Sequence, residues 1–201
     1  MAILPQNFYT RADTLLIAQQ LLGKHLVTQF ADGLRTSGRI VETEAYLGRE
    51  DRACHAWNGR FTDRTRVMYE SGGGAYVYLC YGIHHLFNVI THRAGEPHAI
   101  LIRGLEPIDG IPTMLQRRGM ARIAPRLTAG PGALAKALGI DRSLTGHSLQ
   151  SPPTWIEDHG EDIALPEIIA SPRVGIDYAG EDAQLPYRFR IRNCKWTSPA
   201  K

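Results

Sequence analysis

Two carboxylates and one aromatic ring alternate along residues 39–46, which read RIVETEAY. Because side chains on a β-strand point alternately to opposite faces, Ile40, Glu42, Glu44 and Tyr46 are predicted to share one face. A buried carboxylate needs polar or charged partners, so this face is poor core material. It favours general acid–base chemistry beside a flat substrate. The alternative is a solvent-facing strand with ordinary surface charges.

Arg103 lies in the middle of a second apolar, strand-like segment at 99–105. An arginine is rarely buried without a carboxylate partner. We therefore expect Arg103 to pair with Glu42 or Glu44. This pair either orients a catalytic carboxylate or is a purely structural ion pair.

A second group of residues is aromatic and consists of Tyr46, His55, Tyr76, Tyr78 and Tyr81. Aromatic side chains at a cleft can clamp a planar base, at about 1–3 kcal/mol per stacked base. An aromatic at a hairpin tip can insert into a stack of bases. Since β-propensity alone also places tyrosines in strands, we interpret Tyr76 as a sheet-packing residue. Tyr81 precedes a glycine at a predicted turn and is interpreted as functional.

A metal site is the competing interpretation of the acidic and histidine residues, but no HExxH or CxxC spacing occurs. We therefore expect neither a metal nor a cofactor. The residues concerned are Glu42, Glu44, Glu50, Asp51, His55, His84 and His85. The glycine run at 72–74 lacks the GK[ST] ending of a phosphate-binding loop.

The composition fits one folded domain over residues 1–201, with 43% hydrophobic residues and a formal net charge of +3. A mildly basic chain permits a nucleic-acid partner. Alternate arginines at 188, 190 and 192 predict a basic strand face. Three cysteines without paired spacing indicate no disulfide framework. No signal segment or membrane-length apolar run is visible, so we expect an intracellular protein, in the cytoplasm or nucleoid if bacterial.

Periodicity and turn residues predict the elements that must position these groups. Helices are expected at 11–22 with Thr10 as N-cap, at 111–118, and from Pro131 to Gly139. Strands are expected at 25–30, 35–46, 99–105 (ended by Pro107), 173–176 and 187–192. A hairpin is expected over 75–90 with its tip near 81–84. Residues 47–74 are predicted to form a long loop, and 141–170 a loop with one weak strand.

These segments together resemble the alkyladenine (3-methyladenine) DNA glycosylase family. The resemblance runs along nearly the whole chain, in order. It is carried by RIVETEAYLG (39–48), Glu50-Asp51, Ala53-Cys54-His55, GAYVY (74–78) with Tyr81-Gly82, Asn88, LIRGLEP (101–107), Gly130-Pro131 and RVGI (173–176). It implies an α+β fold in one compact domain, with a curved antiparallel β-sheet flanked by helices and a protruding β-hairpin that enters the minor groove.

The resemblance also implies a role for each matching residue. Glu44 matches the general base that activates the water attacking the sugar C1′, and Arg103 matches the arginine that positions them. In the base pocket, Tyr46, His55 and Tyr78 match the residues that stack around the flipped base. The main-chain amides of Ala53 and His55 match the donors to the base edge. Asn88 matches the residue that crowds the exocyclic amine of guanine. Tyr81 matches the intercalating wedge. Glu42 receives no role, and His84, His85 and residues 91–97 follow no pattern that can be assigned.

The implied activity is monofunctional excision of damaged purines from double-stranded DNA by a monomer, without lyase activity, a cofactor or a membrane partner. The candidate lesions are 3-methyladenine, 7-methylguanine, hypoxanthine and ethenoadenine. Two alternatives stay open. A non-catalytic nucleic-acid-binding domain would use the same basic sheet, and a small-molecule nucleoside or glycoside hydrolase would use the paired carboxylates.

Overall fold

The computed structural model describes residues 2–198. The strands are β1 Ala2–Ile3, β2 His25–Gln29, β3 Arg35–Tyr46, β4 Ala75–Cys80, β5 His84–Thr91, β6 His98–Asp109, β7 Gln150–Ser151, β8 Thr154–Asp158, β9 Ile168–Ser171 and β10 Arg188–Ile191. The α-helices are α1 Gln6–Tyr9, α2 Thr14–Gln20, α3 Ile111–Arg118 and α4 Pro131–Leu138. Short 3-10 turns interrupt the long connections, including Gly48–Glu50, Trp57–Gly59, Arg66–Tyr69 and Asp177–Gln184.

One antiparallel sheet organises the fold, with strand order β1-β8-β2-β3-β6-β5-β4. The long strand β3 lies at its centre and pairs with β6 along most of its length. The first half of β3 also pairs with β2, and residues 42–44 pair with β10, which in turn pairs with β9. The second half of β3 therefore lies in the interior of the sheet, and its residues 40–45 are all buried.

Helices α2 and α4 pack on this sheet and share its main core. Ile17 of α2, Leu134 and Leu138 of α4, Ile40 of β3 and Phe87 of β5 are fully buried in it. A smaller apolar cluster lies beneath the loop that follows β3, and it includes Cys54, Ala56, Val67, Met68 and Tyr76. The predicted α+β class with a large antiparallel sheet is confirmed.

Local sequence signals located several elements correctly. The hairpin β4–β5 turns at residues 81–83, where Tyr81 and Gly82 adopt left-handed φ values of 51° and 71°. Helix α4 begins with Pro131 and is closed by Gly139 at φ 73°, as its sequence predicts. Strands β2 and β3 and helix α3 also lie where they are predicted.

Other elements differ from the prediction. Helix α2 begins after Asp13, whose side chain accepts a hydrogen bond from the Leu16 amide, and not after Thr10. Strand β6 continues through Pro107 to Asp109, because the register with β3 shifts beside Gly38 and a missing N–H is tolerated at such an irregularity.

Two C-terminal segments also differ from the prediction. The strand predicted within the loop 141–170 is not weak, because residues 154–158 form a full strand, β8, between β1 and β2. Residues 173–176, predicted to be a strand, form an irregular connection. Within the described part of the chain, no helix is long and apolar enough to cross a membrane.

Candidate active site

A local irregularity between β3 and β6 brings the predicted carboxylates and arginine together. The pairing runs Ile40–Leu105, Glu42–Gly104 and then Thr43–Ile102, so Arg103 is directly opposite no residue of β3. Such bulges redirect side chains. Here Arg103 Nε lies 3.1 Å from Glu42 Oε1, and Arg103 Nη1 lies 3.4 Å from Glu44 Oε1. The predicted pairing of Arg103 is confirmed with both glutamates.

Glu44 is completely buried, and its carboxylate makes two hydrogen bonds and one ion-pair contact. Its Oε1 accepts a hydrogen bond of 2.8 Å from the Val174 amide and faces Arg103. Its Oε2 accepts a bond of 2.9 Å from the Tyr46 hydroxyl. Burial raises the pKa of Tyr46 well above its usual value, and nearby Glu44 adds to this rise. Tyr46 therefore stays protonated and donates to Glu44.

The irregular 173–176 connection presents the Val174 amide to Glu44 and places Arg173 over one face of the Tyr46 ring. Arg173 makes a two-point ion pair with buried Asp51, at 2.5 and 2.8 Å, and also donates to the Ala45 carbonyl. Its guanidinium lies 4.8 Å from the centroid of the Tyr46 ring. Sequence reasoning missed the roles of Arg173, Val174 and Asp51, because the Asp51–Arg173 contact joins residues that are far apart in the chain.

A cleft of about 690 Å³ opens directly above Glu44. Every predicted site residue except Glu44 lines it: Tyr46, Ala53, His55, Tyr78, Tyr81, Asn88 and Arg103. Glu44 lies just beneath the lining and contacts it through Tyr46, Arg103 and Val174. The N-terminal end of α4, at Gly130–Ala133, forms part of the cleft lining.

One wall of the cleft is an ordered set of rings around His55. Arg64 Nη2 donates to His55 Nε2 at 3.1 Å, so Nε2 is the acceptor and the imidazole proton is assigned to Nδ1, which lies 2.9 Å from the Tyr76 hydroxyl. Tyr78 meets the His55 ring edge-on at 4.7 Å. Burial, together with nearby Arg64 and Arg60, lowers the pKa of His55 to about 4. His55 is therefore neutral at pH 7.

Arg64 is a further residue that sequence reasoning missed. Its Nε donates to Tyr76, and its guanidinium lies 4.9 Å from the Tyr78 ring centroid. Tyr76 itself is buried in the smaller core cluster, as its interpretation as a packing residue requires. Its hydroxyl nevertheless connects Arg64 to His55.

The two main-chain amides that are predicted to donate to the base, those of Ala53 and His55, differ in whether they already have a hydrogen-bond partner. The Ala53 amide donates to Asp51 Oδ1 at 2.9 Å, so in this geometry it is not free to bind a base. Among the bonds of residues 2–198, none engages the His55 amide. Asn88 donates through Nδ2 to the Tyr76 and Leu86 carbonyls, which fixes the orientation of its side chain at the cleft.

Tyr81 extends into solvent at the hairpin tip, where its side chain is 88% exposed. The same hairpin contacts α4 close to its tip, because a Cβ added to Gly132 would lie 2.8 Å from the side chain of His84, the first residue after the turn. His84 thus packs beside the cleft, which gives a structural position to a residue that the sequence left unassigned.

The predicted basic face of β10 forms only in part, because Arg192 is exposed and Arg190 half-buried but Arg188 is not part of the surface. Arg188 is only 1% exposed, and its Nε donates to Glu42 at 2.7 Å, because β10 lies directly against the carboxylate-bearing part of β3. Within residues 2–198, no three His, Cys, Asp or Glu side chains are arranged to hold a metal ion.

Comparison with known proteins adds independent information. The family described as methylpurine-DNA glycosylase (MPG) matches residues 7–195. A protein of Bacillus mycoides is 49% identical over 92% of this chain and 94% of its own length. Proteins of Chlamydia pneumoniae and Methanocella arvoryzae are each 47% identical, over 94% and 96% of this chain and 95% and 94% of their own lengths. All three are provisionally named 3-methyladenine DNA glycosylase.

The family match covers the strand that carries Glu44, the hairpin that carries Tyr81 and the connection that carries Val174. On this evidence, the chain belongs to the methylpurine-DNA glycosylase family.

Proposed function

We propose that this protein is a monofunctional DNA glycosylase that flips a damaged purine out of duplex DNA and hydrolyses its N-glycosidic bond, leaving an abasic site. The observation that carries the proposal is the position of Glu44. Its carboxylate is buried beneath an aromatic cleft and is held by Arg103, Val174 and Tyr46. A duplex hides the glycosidic bond, so the target nucleotide must leave the stack before it can reach such a site.

Hydrolysis needs a nucleophile and stabilisation of a sugar that becomes positively charged. Glu44 accepts a proton from a water as that water attacks C1′, and its negative charge favours the oxocarbenium-like transition state. Arg103 keeps the carboxylate in place. Burial by itself would lower the pKa of Arg103, but the adjacent Glu44 and Glu42 outweigh this effect and raise it, so the guanidinium stays charged.

The cleft is suited to an electron-poor purine. Its volume of about 690 Å³ lies within the usual range for small-molecule sites. Tyr46, His55 and Tyr78 supply aromatic surface, and a ring face attracts a cationic base such as 3-methyladenine or 7-methylguanine. A neutral His55 adds no repulsive charge. The free His55 amide is the main-chain donor to the base, while Asn88 crowds the exocyclic amine of guanine and so favours adenine-derived bases over guanine-derived ones.

Three features support DNA as the substrate and a mechanism without lyase chemistry. Tyr81 stands at an exposed hairpin tip next to the cleft, where it fills the space left by the flipped nucleotide. The chain carries a net charge of +3, which favours the phosphate backbone. No lysine of residues 2–198 lines the cleft, so a Schiff-base step has no candidate nucleophile there. The protein acts as a monomer on damaged double-stranded DNA.

The decisive experiment is a single-turnover base-release assay on duplexes containing 3-methyladenine, 7-methylguanine, hypoxanthine or ethenoadenine. We expect the wild-type protein to release at least one of these bases. Glu44→Gln should lower the rate by about 100- to 10,000-fold, the usual contribution of a general base, and still bind the duplex. Glu106→Gln is the matched control, since Glu106 is paired with Arg39 outside the cleft lining.

Three results would contradict the proposal. If the wild-type protein releases none of these bases, the glycosylase activity itself is wrong. If Glu44→Gln retains a rate within about tenfold of the wild type, Glu44 is not the general base. Base release followed by strand cleavage, with a trappable covalent enzyme–DNA intermediate, would contradict the monofunctional mechanism.

A further inference from the structure

Glu42 is fully buried beside the active site, and the proposed reaction gives it no task. Its Oε1 accepts hydrogen bonds from Arg103 Nε at 3.1 Å, Arg188 Nε at 2.7 Å and Ser198 Oγ at 2.8 Å. Its Oε2 accepts from the Ser198 amide at 2.5 Å. Four donors on one buried carboxylate hold it in a single orientation.

This arrangement fixes Arg103 on three sides. Nε donates to Glu42, Nη2 donates to Ser198 Oγ at 3.2 Å, and Nη1 is directed to Glu44 at 3.4 Å. A guanidinium is a rigid planar fork, so two fixed nitrogens determine the position of the third. The contact between Arg103 and Glu44 is thus set by Glu42 and Ser198.

Ser198 reaches this position because the C-terminal segment 194–198 lies against β6. Arg188 Nη2 donates to the Ser198 carbonyl at 3.0 Å. A Cβ added to Gly104 would lie 2.7 Å from the Trp196 carbonyl oxygen and 3.3 Å from Glu42 Oε2. The glycine next to Arg103 therefore leaves just enough space for this segment.

Stability alone is a weak reason for such a cluster. Removing two charges from water costs about as much as their attraction returns, and apolar replacements of buried ion pairs are often at least as stable. Positioning of a catalytic contact is a stronger reason for the cluster, because small misplacements of reacting groups lower reaction rates steeply.

We propose that Glu42 is a positioning residue, which together with Ser198 of the C-terminal segment fixes the Arg103 guanidinium against Glu44. This inference rests on the proposed glycosylase function. It assigns a task to Glu42, to the buried Arg188 and to a part of the chain that is distant in sequence from the other site residues.

The test is a double-mutant cycle in the base-release assay, with 7-methylguanine duplexes and enzyme in excess. Glu42→Gln should lower the single-turnover rate by about tenfold to a hundredfold, while the Kd for the duplex changes by less than about twofold. In an Arg103→Ala background, the same change should have less than about a twofold effect, because the contact it controls is already lost. Glu106→Gln again serves as the matched control on the same pair of strands.

A milder variant keeps the test valid if Glu42→Gln does not fold, which circular dichroism would reveal. Ser198→Ala removes one bond to Glu42 and one to Arg103 but retains the Ser198 amide bond. Its rate should also fall several-fold, and again only when Arg103 is present.

The inference is overturned if Ser198→Ala and, where it folds, Glu42→Gln keep the wild-type rate, or if their losses persist unchanged without Arg103. In either case an active wild-type protein that depends on Glu44 would leave the proposed function intact. A wild-type protein that releases no base would refute the proposed function and this inference with it.

Discussion

The exposed ring of Tyr81 gives the sharpest test of how this protein handles DNA. Tyr81→Ser should weaken capture of the flipped nucleotide more than it changes the chemical step. Tyr81 is 88% exposed, so its ring contributes little to the folded core, and the change should alter the free energy of unfolding by less than about 0.5 kcal/mol. Any larger effect therefore belongs to the DNA complex.

The expected size follows from stacking. A ring that replaces a base in the stack contributes about 1–3 kcal/mol, and each 1.4 kcal/mol is tenfold in an equilibrium constant. Tyr81→Ser should then lower the flipping equilibrium constant by about 5- to 140-fold. For poorly paired lesions the flipped fraction should fall less, because flipping these bases costs less free energy.

The assay is the fluorescence of ethenoadenine in a duplex, which reports whether the base is stacked or flipped. Tyr81→Phe should keep the wild-type equilibrium, since the ring remains. Leu165→Ser is a surface control, because Leu165 is 71% exposed and lies outside the cleft lining. An unchanged equilibrium in Tyr81→Ser would refute the wedge role and leave Tyr81 as an ordinary surface residue.

Three further outcomes are expected. EDTA should leave base release unchanged, since no metal-binding cluster exists within residues 2–198, and a loss that zinc restores would contradict this. An NMR titration should give His55 a pKa of about 4, because burial and then two nearby arginines lower it from 6.5. The contribution of neutral His55 to the free energy of unfolding is therefore complete above pH 6.5 and is lost as the pH falls toward 4. A measured pKa near 6.5 would contradict this. Asp51→Asn should reduce the free energy of unfolding in urea by about 3–5 kcal/mol, because it breaks the buried pair with Arg173. The same change at Asp109, whose pair with Arg35 is partly exposed, should cost less than about 1 kcal/mol.

The Asp51–Arg173 pair also shows how the candidate site depends on distant contacts. Arg173 fixes the connection that presents the Val174 amide to Glu44, and it covers one face of Tyr46. A base can then stack only on the remaining face of that ring. The loop after β3 and the 173–176 connection therefore shape the cleft together.

Several features of this protein were predictable from the sequence because they depend on neighbouring residues. The alternation of Glu42, Glu44 and Tyr46, the hairpin turn at Tyr81 and Gly82, and the proline and glycine that begin and end α4 are local patterns. The order of motifs along the chain also sufficed to identify the family. The roles of the individual site residues stay predictions until the proposed variants are measured.

Tertiary structure decided the partners of each charge, since those partners are far away in the chain. Arg188 looked like part of a basic surface, yet pairing of β10 with β3 buries it against Glu42. The bulge that turns Arg103 toward both glutamates depends on the register of two distant strands. Val174, in a segment with a strand-like sequence, stays irregular because its backbone amide bonds a buried carboxylate and not a neighbouring strand. Burial and electrostatics act through space, so single-chain patterns indicate which residues carry the chemistry but not which groups hold them.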